Sequence, residues 1–151
     1  VDQRGHEGCL RMPFVLLEED GVQDDRHPHL DGREASRRVE QWAEESDAAW
    51  HAGVVKNPTW PLYGNVLPNG MSPNRRLIGI EHEGFTGEPW TEAMYRSDAY
   101  LIARAARTFG FPVDRLHIIG HNELDSVDRA RCPGNGVDLD RLIAMTKELL
   151  T

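Results

Sequence analysis

The chain has 151 residues, 39% of them hydrophobic and 28% charged, with a formal net charge of −8. That length suits one domain with a real core, and the composition is ordinary for a soluble globular protein. The acidic balance argues against nucleic acid, which needs a basic face, and against docking on anionic membranes; no apolar run is long enough to span a bilayer.

In chain order, the first apolar run is Phe14-Val15-Leu16-Leu17. It is too short for the apolar core of a signal peptide, and acids follow it directly. Residues 18–38 are polar without a sustained apolar period, and Asp31-Gly32 marks a turn. Arg38 to Trp42 alternates polar and apolar, which predicts a strand; a helix from Arg33 to Ala49 competes, because Ala and Glu are good helix formers. Lys56 to Pro73 is rich in Pro, Asn and Gly and reads as a long surface loop of the kind that often binds ligands. Its aromatics, Trp60 and Tyr63, either stack on sugar rings or pack back on the core.

Leu77 to Glu83 predicts a strand with Leu77, Gly79, Glu81 and Glu83 on one face and Ile78, Ile80 and His82 on the other. Thr91 to Phe109 predicts a helix: Thr91 suits the N-cap, the apolar positions recur at helical spacing, Gly110 stops it and Pro112 prevents resumption. Leu116 to Ile119 predicts a strand, and Asp138 to Leu149 a last helix capped by Asp138. Together these elements predict an α/β fold, a mixed β-sheet flanked by helices in a single domain.

Chemistry concentrates near the end. His121 follows the glycine that closes Leu116-His117-Ile118-Ile119-Gly120, and Cys132 returns shortly after, before Pro133-Gly134. Imidazole and thiolate are preferred zinc ligands, and strand ends are where a scaffold presents them. The blander readings are a surface histidine and a plain thiol, or a Cys9–Cys132 disulfide in a structural or interaction domain. Glu81 is a carboxylate at mid-strand, costly unless it lines a cavity or has a partner; Glu83 shares its face.

With Ala49-Trp50-His51-Ala52-Gly53 and the stretch from Asn74 to Gly84, these segments resemble the zinc-dependent N-acetylmuramoyl-L-alanine amidases, a family that includes phage lysozyme-type amidases and peptidoglycan recognition proteins. The resemblance runs from about Arg38 to the C-terminus and divides the chain into a divergent N-terminal segment, 1–37, and an amidase-like part, 38–151. It favours the strand over the helix at Arg38–Trp42. It implies a Zn2+ cofactor held by His121 and Cys132, with Glu81 as general base and Asn74 upstream of it. His51 would face the substrate, beside Trp50. The family's basic residue two places before its last ligand is replaced by Ala130, which leaves Arg129 or Arg131 to stabilise the oxyanion; Arg131 is taken for that role.

The family's remaining ligand is a histidine closing an early apolar strand. Here Glu18 follows Phe14–Leu17, so the third ligand stays open among His6, His27, His29 or none. His27-Pro28-His29 could look like a metal pair, but such a motif is more often just a polar loop. The implied activity is hydrolysis of the amide between N-acetylmuramic acid and L-alanine in peptidoglycan by an endolysin-like, cell-wall-degrading hydrolase. It would act outside the cell or on its wall, as a monomer on wall or muropeptides. The alternative is a non-catalytic peptidoglycan-binding module; members that only bind tend to lack the cysteine, so Cys132 favours catalysis.

Overall fold

The structure, a computed structural model, describes the backbone of residues 14–20 together with residues 39–41, 44 and 48–151. Three strands, β1 (Phe14–Asp20), β2 (Leu77–Glu83) and β3 (Ile118–Gly120), form a sheet in the order β2-β1-β3. β1 is central: Leu16 stands in register with Gly79 of β2 and with Ile119 of β3. Both pairings are parallel. Among the described residues every pairing in the sheet is parallel, and the antiparallel pairing that a mixed sheet would add is not seen there. The strand order also draws a piece of segment 1–37 between two strands from 38–151.

The β2 alternation is as read from the sequence. Leu77 enters a lower core with Ala52, Trp60, Leu67, Ile119 and Leu124, whereas Ile78 and Ile80 pack on an upper core that includes Trp90, Ile102, Ile118 and Leu142. β3 divides in the same way, Ile118 to one side and Ile119 to the other, because successive side chains leave a strand on opposite faces. β3 starts two residues later than predicted. Asp114 Oδ1 accepts the N–H groups of Leu116 (2.9 Å) and His117 (3.1 Å), and this turn withholds both residues from the sheet.

Between residues 56 and 73 the predicted surface loop is ordered by a short helix, α1 (Tyr63–Val66), and a 3-10 turn, Pro68–Gly70. Trp60 is only 3% exposed and its indole N–H donates to the Leu116 carbonyl at 2.8 Å, so of the two readings for this aromatic, packing on the core wins over stacking on sugar. Tyr63 packs against the same cluster.

The helix predicted from Thr91 is α2 (Glu92–Phe109); Thr91 Oγ1 accepts the Met94 N–H at 3.3 Å, and Gly110, at φ 73°, closes the far end in the left-handed region that glycine tolerates. The last helix is α3 (Leu139–Glu148), with Asp138 Oδ1 accepting the Arg141 N–H at 2.9 Å. α2 and α3 cover the upper core together. Val39–Gln41 form neither strand nor helix, and the rest of the Arg38–Trp42 reading lies outside the described residues, as do His6, Cys9, His27 and His29. Among the described residues no helix is long and apolar enough to cross a membrane.

Candidate active site

Three segments converge at the carboxyl end of the sheet. β3 runs out at Gly120 and passes into a 3-10 turn, His121–Glu123, so the strand delivers His121 to the sheet's edge. His121 is buried, and its Nε2–H donates to the carbonyl of Ala52 at 3.2 Å. In the neutral ring this bond leaves the lone pair on Nδ1. Burial pushes the His121 pKa below the ordinary histidine value; the Arg129 charge pushes the same way, while the Ala52 carbonyl and Asp125 oppose it. The ring is therefore neutral at pH 7, the form a metal ligand needs.

The loop carrying Cys132 is tied back onto the same strand end. The Asn122 N–H donates to the Cys132 carbonyl, and the Cys132 N–H to the Arg129 carbonyl, both at 2.9 Å. Gly120 makes this approach possible, since a methyl group there would stand 2.6 Å from Cδ of Pro133. Cys132 is 8% exposed.

The turn bearing His51 forms the opposite wall. Asn74 Oδ1 accepts the N–H groups of His51 (3.0 Å) and Ala52 (2.7 Å), and Asn74 itself is buried. This residue thus fixes the turn's backbone from beneath. The His51 ring lies against β2, where a methyl group on Gly79 would fall 2.6 Å from its Cδ2. His51 Nδ1–H donates to the Ala49 carbonyl at 2.9 Å, which leaves the lone pair on Nε2. Nε2 is buried without a hydrogen-bond partner among the described residues, as is Asn74 Nδ2. Burial lowers the His51 pKa against the opposing Ala49 bond, so this ring too is neutral. A buried, unpaired acceptor is costly in an ordinary core, and it suits a site that receives a donor from a ligand.

Main-chain bonds lock the two walls together. Thr59 and Trp60 donate to the Glu123 carbonyl at 2.9 and 3.1 Å, Lys56 pairs with Asp125 in an isolated parallel bridge, and Ser126 N–H returns to the Lys56 carbonyl at 3.1 Å.

The structure places the remaining sequence-predicted residues as follows. Trp50 is 77% exposed, so His51 packs on Gly79 rather than under that indole. Glu81 is exposed on β2, two residues beyond Gly79 and on its face; the drier surroundings expected at mid-strand are not there. Arg129, Ala130 and Arg131 are all exposed, and it is the Arg129 charge that acts on His121. Among the described residues no three His, Cys, Asp or Glu side chains gather closely enough to hold a metal ion. The donor chemistry of His121 and Cys132 nevertheless fits zinc: a neutral imidazole oriented by a backbone carbonyl, and a sulfur on the adjoining loop.

Sequence reasoning missed the bracing role of Asn74 and the two close approaches at Gly79 and Gly120. The only sequence signal for the latter was glycine within apolar strands, which marks close approach of other atoms.

A family model described as N-acetylmuramoyl-L-alanine amidase matches residues 21–135. The chain is 30% identical over 114 residues to the 1,6-anhydro-N-acetylmuramyl-L-alanine amidase of Haemophilus influenzae, an alignment covering 76% of this chain and 55% of that protein. No solved structure matches significantly.

Proposed function

The chain belongs to the N-acetylmuramoyl-L-alanine amidase family, and from that premise we propose that it cleaves the amide between N-acetylmuramic acid and L-alanine in peptidoglycan or its muropeptides. The observation that carries this reading is the strand-end site itself: a neutral, carbonyl-oriented His121 beside the Cys132 loop, facing a turn whose His51 holds an unpaired acceptor.

His121 and Cys132 would hold a zinc ion. When bound, zinc polarises the scissile carbonyl and lowers the pKa of water. Glu81, at the carboxyl end of β2, takes a proton from the attacking water and returns it to the leaving amine. His51 Nε2 accepts an N–H or O–H of the substrate; in its neutral tautomer it has no proton there for an oxyanion, so that role falls to a cation. Arg129 fits it better than Arg131, because its charge already acts on His121. Trp50 offers an exposed aromatic face to the glycan or stem peptide.

Purified protein, incubated with zinc and either intact wall or muropeptides, tests this. Some muropeptides should carry a 1,6-anhydro sugar, given the name of the Haemophilus influenzae relative. Peptides with a new L-alanine amino terminus are expected, without new reducing sugar ends. His121→Ala and Cys132→Ser should each reduce release by more than the roughly 100-fold that loss of a supporting group costs a metal site. Wall binding without peptide release identifies a binding module instead, and activity surviving both substitutions removes the proposed metal site.

A further inference from the structure

The chain between β2 and α2 carries an aromatic side chain outside the reaction proposed above. β1 pairs in parallel with both β2 and β3, so all three strands end at one edge, the edge at which His121 stands. β2 and β3 flank β1 there. Neighbouring strands lie about 4.8 Å apart, so the ends of β2 and β3 are roughly 10 Å from each other, room for one pyranose with its lactyl arm. Just past the end of β2 the chain makes a tight turn. The Glu88 N–H donates to the Phe85 carbonyl at 3.0 Å, and the Phe85 N–H donates back to Glu88 Oε2 at 3.3 Å. Gly87 takes a positive φ of 95° inside it, which glycine adopts without strain.

This turn is pressed onto the Cys132 loop. A methyl group on Gly134 would stand 2.7 Å from the Gly87 nitrogen, and one on Gly136 would stand 2.3 Å from the Glu88 carbonyl oxygen. Backbone thus lies on backbone directly after Cys132-Pro133. Beyond the turn the chain goes inward at Trp90, which is buried and packs on the His82 ring. Anchored in this way, the turn holds Phe85 at the rim of the site, although Phe85 is 54% exposed and belongs to neither core. The exposed aromatics among the described residues are Trp50, Phe85 and Tyr100. Tyr100 lies on α2, whereas Trp50 stands beside His51 and Phe85 stands against the Cys132 loop. A single exposed apolar side chain is ordinary, but an aromatic held in advance at a cleft loses little freedom when a ligand covers it. Phe85 has no group with which to hydrogen-bond. What it can recognise is a flat face of C–H groups, which a pyranose ring presents and a peptide backbone does not.

We propose that Phe85 is a specificity residue for the sugar: its ring stacks on the C–H face of the N-acetylmuramic acid whose lactyl amide is cut. This rests on the amidase reading above, but sugar binding tests it separately. N-acetylmuramic acid, which has no amide of this kind to lose, is titrated into the full chain and followed by ligand-observed NMR. Wild type should bind it. Phe85→Ala should bind it about 10-fold more weakly, the size of a common truncation at a binding anchor, and Phe85→Trp should retain it. Since Phe85 lies outside both cores, the thermal melt of Phe85→Ala should match that of wild type. Kinetics supply the second readout: kcat/KM on a muropeptide is divided by kcat/KM on the matching lactyl peptide, which keeps the scissile amide and lacks the ring. Phe85→Ala should reduce that ratio by about the same factor.

Unchanged sugar affinity in Phe85→Ala overturns the assignment, as does a wild type that binds no sugar, and peptide release in either case leaves the amidase reading standing. Equal losses on muropeptide and lactyl peptide overturn it too, because they mark a role in the shape of the turn rather than in reading the ring. Sugar affinity that depends on Phe85, in a chain that releases no peptide from any muropeptide, upholds the assignment and removes the amidase reading.

Discussion

The two faces of β2 use imidazoles, one buried and one half-buried, in opposite ways. On the upper face His82 Nε2–H donates to Asp98 of α2 at 2.6 Å, and its ring lies 3.9 Å from that of Trp90. Both partners are nearly inaccessible, and burial pushes the Asp98 carboxyl above its usual range while the His82 bond pulls it down. On the lower face His51 is wedged against Gly79 with its Nε2 unpaired. One imidazole is bonded to the helix it packs against; the other is neutral and holds an acceptor in reserve. The two rings differ in the hydrogen bond that His51 Nε2 does not make among the described residues.

The largest effect expected of this contrast is on stability. Asp98→Ala removes the carboxylate facing His82, and breaking a buried pair from one side costs about 3 kcal/mol or more. Urea denaturation should show that loss while peptide release per folded molecule is preserved. If activity falls with stability, the upper face is part of the site and the two faces do not differ in kind. Gly79→Ala comes next. The added methyl must displace the His51 ring, and overpacking of this kind costs about 1–3 kcal/mol. Here hydrolysis should fall more than stability does, the reverse of Asp98→Ala; equal activity would show that the position of His51 is unimportant.

The smallest effect is a pH dependence. Burial holds the His51 pKa below the ordinary value of 6.5. As pH falls, the unfolded chain takes up that proton first. Stability contributed by the neutral ring is therefore present above pH 6.5 and is lost as pH drops through the folded-state pKa. Urea midpoints measured on either side of this window should fall further for metal-free wild type than for metal-free His51→Gln. Parallel curves would mean that His51 ionises as it does in the unfolded chain.

Much of this arrangement was legible in the sequence. α2 and α3 were readable because cap, apolar period and stop signal agreed in each. The alternation along β2 already put His82 with Ile78 and Ile80, on the face that meets the upper core. Its partner was harder to see: Asp98 sits inside the buried stripe of α2, and an acid there has meaning only once the strand carrying its histidine is in place. The loop aromatics were undecidable because a Pro- and Gly-rich stretch has no period, and only the Leu116 carbonyl settles where Trp60 goes. The sheet's direction was likewise unreadable, since strand pairing is a non-local property. For the site, local context makes His121 and Cys132 candidates, but spacing along the chain does not separate Arg129 from Arg131, and only the fold puts the Arg129 charge among the influences on His121.

The peptide unit of Ala52 has one further consequence. Its N–H goes to Asn74 and its carbonyl to His121, so a single small residue joins the segment bearing Asn74 to the strand end bearing His121. On the Ala52 side both links are made by main-chain atoms, so no change of side chain at position 52 deletes them, whereas substitution of Asn74 or His121 removes one each. Scanning mutagenesis at position 52 would register only bulk and leave this wiring silent there; replacing the Ala52 amide by an ester in semisynthetic protein is the kind of edit that would make it audible.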